Sequence, residues 1–270
     1  FLYTPETPGP HPVIVYFHGG GWVIGDLETH DPLCAEIARG LDMTVLSLDY
    51  RLAPDHRFPA APADCIAVTR WAATAPAAIG HGVSGLVLAG DSAGGNLAAV
   101  CANELAGTLA VPILAQWLIY PGVDMTATTG SMADFAEGFL LTAKGMEWFG
   151  MHYMADQDVT HPHASPILNP RVEHAPATLV FTCGLDPLRD QGRAYAAKLI
   201  GAGVARHAPV PGRTGVREAL LHDPYHDEWL AEEPSAIGRL FAPVAGYGVT
   251  LSSLFRPTVT ELYPFEPPVL

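Results

Sequence analysis

The sequence predicts an α/β fold in which a mostly parallel central sheet is covered by helices on both faces. Short apolar runs rich in β-branched residues alternate along the chain with stretches of helical spacing. Such alternation indicates parallel strands, because each strand needs a crossover, usually a helix, to reach its parallel neighbour. The length of 270 residues suits one large domain of this kind. Its active site is expected at the carboxyl ends of the strands.

The predicted elements follow one another in a regular order. Strands are expected where short β-branched runs are bounded by turn residues, over 12–17, 43–50, 84–90, 113–121, 177–184 and 204–211. Helices are expected where apolar residues recur with helical spacing, over 30–41, 63–74, 94–107 and 189–203. The segment 122–170 interrupts this order, and its many Met and aromatic residues predict loops and helices over the active site.

The pattern changes after about Gly212, where prolines interrupt every candidate helix. We therefore predict an α/β core over residues 1–212 and a divergent C-terminal tail over 213–270. The abundance of Arg, Ala, Gly and Pro indicates a GC-rich gene, in which a shifted reading frame meets few stop codons. A frame shift near Gly212 and genuine divergence both explain the tail, and translating the coding DNA in the other two frames distinguishes them.

Composition excludes several classes of partner. The formal net charge is −14, so neither nucleic acid nor anionic lipid is expected to bind, since both need clustered Lys and Arg. No apolar run is long enough to span a membrane, and no signal peptide is recognised. The cysteines at positions 34, 65, 101 and 183 lack CxxC spacing, which argues against a zinc or redox site. A reducing cytoplasm is the expected location.

The motif GDSAG at residues 90–94 predicts a nucleophilic serine, Ser92. It fits G-x-S-x-G and lies between a predicted strand and a predicted helix of small residues, which is the context that the motif requires. The serine of this motif sits on a strained turn, and side chains two residues to either side would clash there. Glycine at both places removes the clash. The alternative, a chance Gly-rich turn, is disfavoured by this placement.

The motif HGGGW at residues 18–22 predicts an oxyanion hole. Consecutive glycines leave backbone N–H groups accessible, and the tetrahedral intermediate of acyl transfer needs such donors. Gly20, Gly21 and Ala93 are the expected donors. A phosphate loop is the alternative, but the lysine that it requires does not follow. His18 is expected to hold the loop in shape.

Asp186, in the stretch CGLDPLRD, is the candidate acid of a catalytic triad. It follows a predicted strand and comes after the serine in chain order, as α/β-hydrolases require. Its role would be to orient a histidine and stabilise the imidazolium. The alternative is that Asp186 only caps the following helix. Asp190 is expected to pair with a nearby arginine.

These motifs together resemble the hormone-sensitive lipase family of α/β-hydrolases, especially its bacterial esterases. The resemblance rests on HGGGW, DYRLAPDHRFPAAPAD, GDSAGGNLAA, SPIL and GLDPLRD, in that order between Phe1 and about Gly212. It implies the α/β-hydrolase fold and a carboxylic ester hydrolase that acts on small-molecule esters of short-chain acids without metal or cofactor. It also implies that Ser92 and Asp186 are members of the triad.

The sequence departs from the family at its N-terminus. It begins within an early strand, FLYTPETPGPHP, whereas family members carry a leading segment with cap helices. We therefore expect the cap to be absent and the pocket to be more open.

The second departure concerns the histidine of the triad. The family's histidine follows a Pro-Gly pair, but here VPGRTGV places Thr214 at that point, and threonine cannot accept a proton near neutral pH. The remaining candidates are His207, His222 and His226. His207 lies within a predicted strand and comes early after Asp186, and His226 lies among acidic residues. His222 is therefore the candidate base.

Two functions follow from these motifs. The first is a serine esterase for short-chain acyl esters, which works through an acyl-enzyme intermediate. The second is a catalytically impaired, hydrolase-like binding protein or inactive fragment without a triad histidine. The sequence leaves the oligomeric state open, a homodimer included.

Overall fold

The computed structural model describes residues 1–5 and 7–204. Strands within these residues form one sheet in the order β1-β3-β2-β4-β5-β6. Strand β1 is antiparallel to β3, and all other neighbours are parallel. The predicted mostly parallel sheet is therefore confirmed. The strands span Leu2–Tyr3 (β1), His11–Phe17 (β2), Thr44–Leu48 (β3), Val83–Asp91 (β4), Ile113–Ile119 (β5) and Ala177–Phe181 (β6).

Helices cover both faces of this sheet. They span Leu27–Leu41 (α1), Ala60–Ala72 (α2), Ala93–Leu105 (α3), Ser131–Asp134 (α4), Ala143–Tyr153 (α5) and Arg189–Gly201 (α6). Helix α1 packs on β3, whereas α3 packs on β4 and β5. In β2, the side chains from Val13 to Phe17 alternate between the two faces, and all are fully buried. Complete burial on both sides is typical of a central parallel strand.

Several elements differ from their predicted bounds. Helix α1 begins at Leu27, earlier than predicted, because Asp26 and Thr29 form a capping box that satisfies free N–H groups of its first turn. Strands β5 and β6 end at Ile119 and Phe181, before the predicted ends. The predicted tail over 213–270, and all but the first residue of the predicted strand 204–211, lie outside the described residues.

The helices of the described part of the chain do not meet the requirements of a membrane span. None of them combines the length and the apolar character that a bilayer crossing requires.

Candidate active site

Ser92 occupies a strained turn between β4 and α3. Its backbone has φ 52° and ψ −115°, a combination that residues with a side chain rarely adopt. The turn is held because the Ser92 N–H donates to the Ile119 carbonyl at 2.8 Å, and the Ser92 carbonyl accepts from Gly122 N–H at 3.2 Å. The half-buried side chain lines a cavity at the carboxyl end of the sheet. The strain therefore presents the hydroxyl to this cavity.

The glycines on either side of Ser92 allow this turn to pack. A Cβ on Gly94 would lie 1.9 Å from the Phe17 carbonyl oxygen, and one on Gly90 would lie 2.5 Å from the same atom. Real Cβ atoms do not approach backbone so closely. The steric requirement predicted for the two glycines is thus present, and it arises where β4 and α3 press against the end of β2.

The Gly-rich loop follows β2 and lies beside Ser92. Gly20 and Gly21 have φ of 112° and 60°, which favour glycine. A Cβ on Gly21 would lie 2.3 Å from the Phe149 ring, so this ring packs directly on the loop. Gly21 and Ala93 line the same cavity as Ser92. The Gly20 carbonyl accepts two N–H groups from the turn that follows, which fixes the peptide preceding Gly21.

His18 is enclosed at the start of this loop. Its ring stacks on Tyr50 with 4.3 Å between centroids, and the Tyr50 hydroxyl donates to the His18 carbonyl at 2.7 Å. Burial lowers the pKa of His18, so the ring is neutral near pH 7. These contacts fit a structural role for His18.

Asp91 connects the turn at Ser92 to the Gly-rich loop. One oxygen of its buried carboxylate, Oδ1, accepts the Gly19 N–H at 2.9 Å and the Tyr16 hydroxyl at 2.9 Å. The same oxygen lies 3.2 Å from Nε2 of His30, which belongs to α1. Asp91 therefore fixes the residue after it, Ser92, relative to the start of the loop.

His30 and Asp91 form a buried ion pair. Burial alone lowers the pKa of His30, but the Asp91 carboxylate outweighs it and raises the pKa overall. Burial raises the pKa of Asp91, but His30 and then the Tyr16 hydroxyl outweigh it and hold the pKa below its usual range. This pair was not predicted from the sequence. The sequence shows Asp91 next to Ser92, but no spacing pattern connects Asp91 to His30.

We expect His30→Gln to destabilise the protein most between about pH 4 and 6.5. The depressed pKa of Asp91 contributes stability above its unfolded value near 4, and the raised pKa of His30 contributes stability below its unfolded value near 6.5. Loss of the cation leaves a buried carboxylate unpaired, which costs about 3 kcal/mol in the free energy of unfolding. Urea unfolding at pH 5.5 and pH 8.5 measures this loss.

The destabilisation by His30→Gln should shrink at the higher pH, as the wild-type imidazole loses its proton through its raised pKa. His174→Gln is the matched control, because His174 also lies beside a carboxylate, that of Glu173, but with its side chain 80% exposed. Equal destabilisation by His30→Gln at both pH values would contradict the charge pairing.

Asp186 follows β6, which is two strands from β4 in the sheet. Its Oδ1 accepts the Leu188 N–H at 2.9 Å, so Asp186 does stabilise the turn that leads into α6. Burial raises the pKa of Asp186 to about 6, although that N–H and Arg189 act in the opposite direction. Asp190 differs, because it forms an ion pair with Arg189 at 2.9 Å, as predicted. A carboxylate with a raised pKa is thus held at the carboxyl end of the sheet.

The cavity that contains Ser92 has a volume of about 570 Å³ and is mostly apolar. Helix α5 and the loop after β5 supply much of its wall, with Trp22 on another side. Sites of 300–1,000 Å³ commonly enclose small-molecule ligands. The three candidate histidines, His207, His222 and His226, lie outside the described residues, so their distances from Ser92 stay untested.

A family model described as alpha/beta hydrolase fold matches residues 14–212. The chain belongs to the α/β-hydrolase family. Together with the esterases described next, this match confirms the resemblance to the hormone-sensitive lipase type that the motifs indicated.

Relatives of this α/β-hydrolase include named ester hydrolases. Carboxylic ester hydrolase LipN of Mycobacterium tuberculosis is 45% identical over 212 residues, which are 75% of this chain and 56% of that protein. Ethyl acetate hydrolase of Pseudomonas putida is 39% identical over 220 residues, which are 79% of this chain and 69% of that protein. This α/β-hydrolase chain therefore spans little more than half the length of LipN.

Solved structures of α/β-hydrolases show the same fold. The hyperthermophilic esterase from the archeon Pyrobaculum calidifontis matches with a TM-score of 0.75 and 34% identity, over 94% of this chain and 78% of that one. An alpha/beta hydrolase enzyme from the metagenome of Lake Arreo matches with a TM-score of 0.71 and 41% identity, over 75% of this chain and 65% of that one.

Proposed function

We propose that the protein is a serine carboxylic ester hydrolase for small-molecule esters of short-chain acids. The observation that carries this proposal is the position of Ser92, on a strained turn that opens into an apolar cavity beside the Gly-rich loop. The named ester hydrolases among its relatives support the same reaction class.

In the proposed first step, the Ser92 hydroxyl attacks the ester carbonyl and gives its proton to a histidine base. The carbonyl oxygen becomes an oxyanion, which accepts hydrogen bonds from the backbone N–H groups of Gly20, Gly21 and Ala93. These donors are fixed before substrate arrives, because Phe149 packs on Gly21 and the Asp91 carboxylate holds the start of the loop. Preorganised donors stabilise the developing charge without reorganisation.

The alcohol then leaves with a proton from the histidine, and an acyl-enzyme remains on Ser92. Water, deprotonated by the same histidine, attacks this ester and releases the acid. We assign the base to His222 and its orientation to Asp186. The raised pKa of Asp186 supports this role, because a buried carboxylate is stabilised when an imidazolium forms beside it.

Covalent labelling tests the proposed nucleophile. A fluorophosphonate is expected to remove the hydrolysis of a chromogenic short-chain ester in proportion to the protein labelled. Mass spectrometry should place one phosphonyl group on Ser92. Ser84→Ala is the matched control, because Ser84 is an exposed serine at the opposite end of β4, and its loss should change neither labelling nor hydrolysis.

Labelling at another residue, or hydrolysis that survives complete labelling of Ser92, would overturn the nucleophile assignment. Binding of a short-chain ester without hydrolysis and without labelling would instead favour the hydrolase-like binding protein that the missing histidine motif raised as the alternative.

A further inference from the structure

Methionine is concentrated around the candidate active site. The chain has six methionines, and the wall of the cavity that holds Ser92 contains all of them except Met43. We call this group the methionine wall, and it consists of Met125, Met132, Met146, Met151 and Met154. Residues of one uncommon type converge here from the loop after β5, from α4 and from α5.

Helix α5 supplies much of the methionine wall through its spacing. Met146, Phe149 and Gly150 lie three and four residues apart, and all three line the cavity. Met154, at the end of the helix, continues this face and is 2% exposed, whereas Met151 is 55% exposed. The wall therefore extends from the buried part of the cavity to the solvent.

Met132 is contacted by Gln191, which also lines the cavity. The Gln191 amide nitrogen approaches its sulfur at 3.7 Å, while the Gln191 carbonyl oxygen accepts the backbone N–H groups of Val123 and Asp124, each at 2.7 Å. The contact thus fixes one thioether of an otherwise flexible wall.

The chemistry of methionine defines what such a wall accepts. Its side chain is unbranched, so it adjusts to groups of different shape, and its polarisable sulfur makes favourable contacts with aromatic rings. Leucine or isoleucine of similar size would exclude water equally well but would lack the sulfur contact. Trp22, whose ring stacks on Tyr153, and Phe149 also line the cavity, so a planar ring bound there can contact aromatic side chains.

We propose that the methionine wall is a specificity determinant that binds an aromatic ring in the larger of the two groups of the ester. This inference rests on the proposed function only in that the ligand is an ester. Binding of the ring itself needs no turnover. A short acyl group alone would leave most of the 570 Å³ cavity empty. The wall favours a planar ring over a saturated ring of the same size.

Binding to Ser92→Ala tests the ring preference without turnover. The probes are benzyl butyrate and cyclohexylmethyl butyrate, which differ only in the aromaticity of the ring, and calorimetry gives the two dissociation constants. We expect the benzyl ester to bind about fivefold more tightly, since each sulfur–aromatic contact contributes about 0.3–1.5 kcal/mol. Equal affinities, or no binding of either ester, would overturn the proposal.

To isolate the contribution of the methionines to ring binding, Met132→Leu and Met146→Leu are added to Ser92→Ala. Both changes nearly conserve side-chain volume. The fivefold ratio should fall to about twofold or less, because the sulfur contacts are lost while the apolar area remains. Met43→Leu is the matched control, since Met43 is half-buried outside the cavity and should leave the ratio unchanged. Melting temperatures of the variants confirm that each is folded.

The two proposals fail in different ways. In one outcome the wild-type protein hydrolyses neither ester, Ser92→Ala still prefers the benzyl ester, and Met132→Leu with Met146→Leu removes that preference. The proposed hydrolysis then fails and the proposed ring site stands. In the other outcome the wild type hydrolyses short-chain esters, but Met132→Leu with Met146→Leu leaves the ratio of the two dissociation constants unchanged. The methionine wall then does not determine the ring preference.

Discussion

Replacing Ser92 with alanine is expected to lower kcat for a short-chain ester by about a million-fold. Loss of the nucleophile of a complete triad costs roughly this much, and the remaining rate comes from the oxyanion hole and from substrate binding. The change removes one oxygen atom from a turn whose backbone is held by Ile119 and Gly122, so the fold should persist. Steady-state kinetics and a melting curve measure both properties.

The size of the Ser92→Ala effect also tests the base. Nucleophile and base act as a unit, so His222→Ala should cause a similar loss, and the double variant should be no slower than either single one. His226→Ala is the matched control in the same acidic stretch and should leave kcat unchanged. Normal turnover in His222→Ala would contradict the assignment of His222. A wild-type rate that barely exceeds that of Ser92→Ala would show that no histidine acts as the base.

The sequence predicted the strained turn at Ser92 well because the steric requirements of such a turn are local. A strained serine needs glycines two residues to either side, and the structure places the Phe17 carbonyl where a Cβ on Gly90 or Gly94 would have to lie. The sheet was equally predictable, since the alternation of strands and helices leaves few topologies. Local steric requirements and the connectivity of strands can both be inferred from the order of residues.

Contacts between distant segments were not predictable in the same way. In the sequence, His30 is one polar residue of an amphipathic helix. Only the packing of α1 on the sheet brings His30 Nε2 to 3.2 Å from Asp91 Oδ1. The methionine wall illustrates the same limit. Composition marked 122–170 as Met-rich, but the helical face of α5 decides that Met146 and Met154 line the cavity.

The start of α1 could have been predicted from the sequence alone. Asp26 precedes the helix and Thr29 lies three residues later, and their side chains satisfy each other's backbone N–H groups. The apolar periodicity used for the prediction begins later than this cap. Capping residues therefore mark a helix end more sharply than hydrophobic spacing does.

Asp186→Asn is expected to lower kcat by about ten-thousand-fold while it stabilises the protein at alkaline pH. An amide in place of the triad acid leaves the geometry intact but favours the wrong tautomer of the histidine, which costs about this factor. The carbonyl oxygen of the substituted amide can still accept the Leu188 N–H, so the turn before α6 is retained. A role limited to capping that turn would therefore leave kcat unchanged.

The stability effect of Asp186→Asn follows from the sign of its pKa shift. Burial raises the folded pKa of Asp186 to about 6, so the folded state binds its proton more tightly than the unfolded state, whose pKa is near 4. Wild-type stability that is present below pH 4 is lost as the pH rises through 6, because the half-buried carboxylate must then ionise where it is poorly solvated. Asparagine never ionises, so the variant should unfold at higher urea concentration than wild type at pH 8, but not at pH 4.

Asp190→Asn provides the matched control for Asp186→Asn. Its hydrogen bond to Arg189 holds the pKa of Asp190 below the usual range, so its stabilisation is present above pH 4 and is lost as the pH falls through the depressed value. The same substitution four residues later should therefore destabilise the protein at pH 8 and leave kcat far less affected. We expect the two variants to shift the urea midpoint at pH 8 in opposite directions, with a large loss of kcat only in Asp186→Asn. This result would show that the Asp186 carboxylate lowers the stability of the fold but is needed for turnover. Shifts of the same sign would contradict the raised pKa of Asp186.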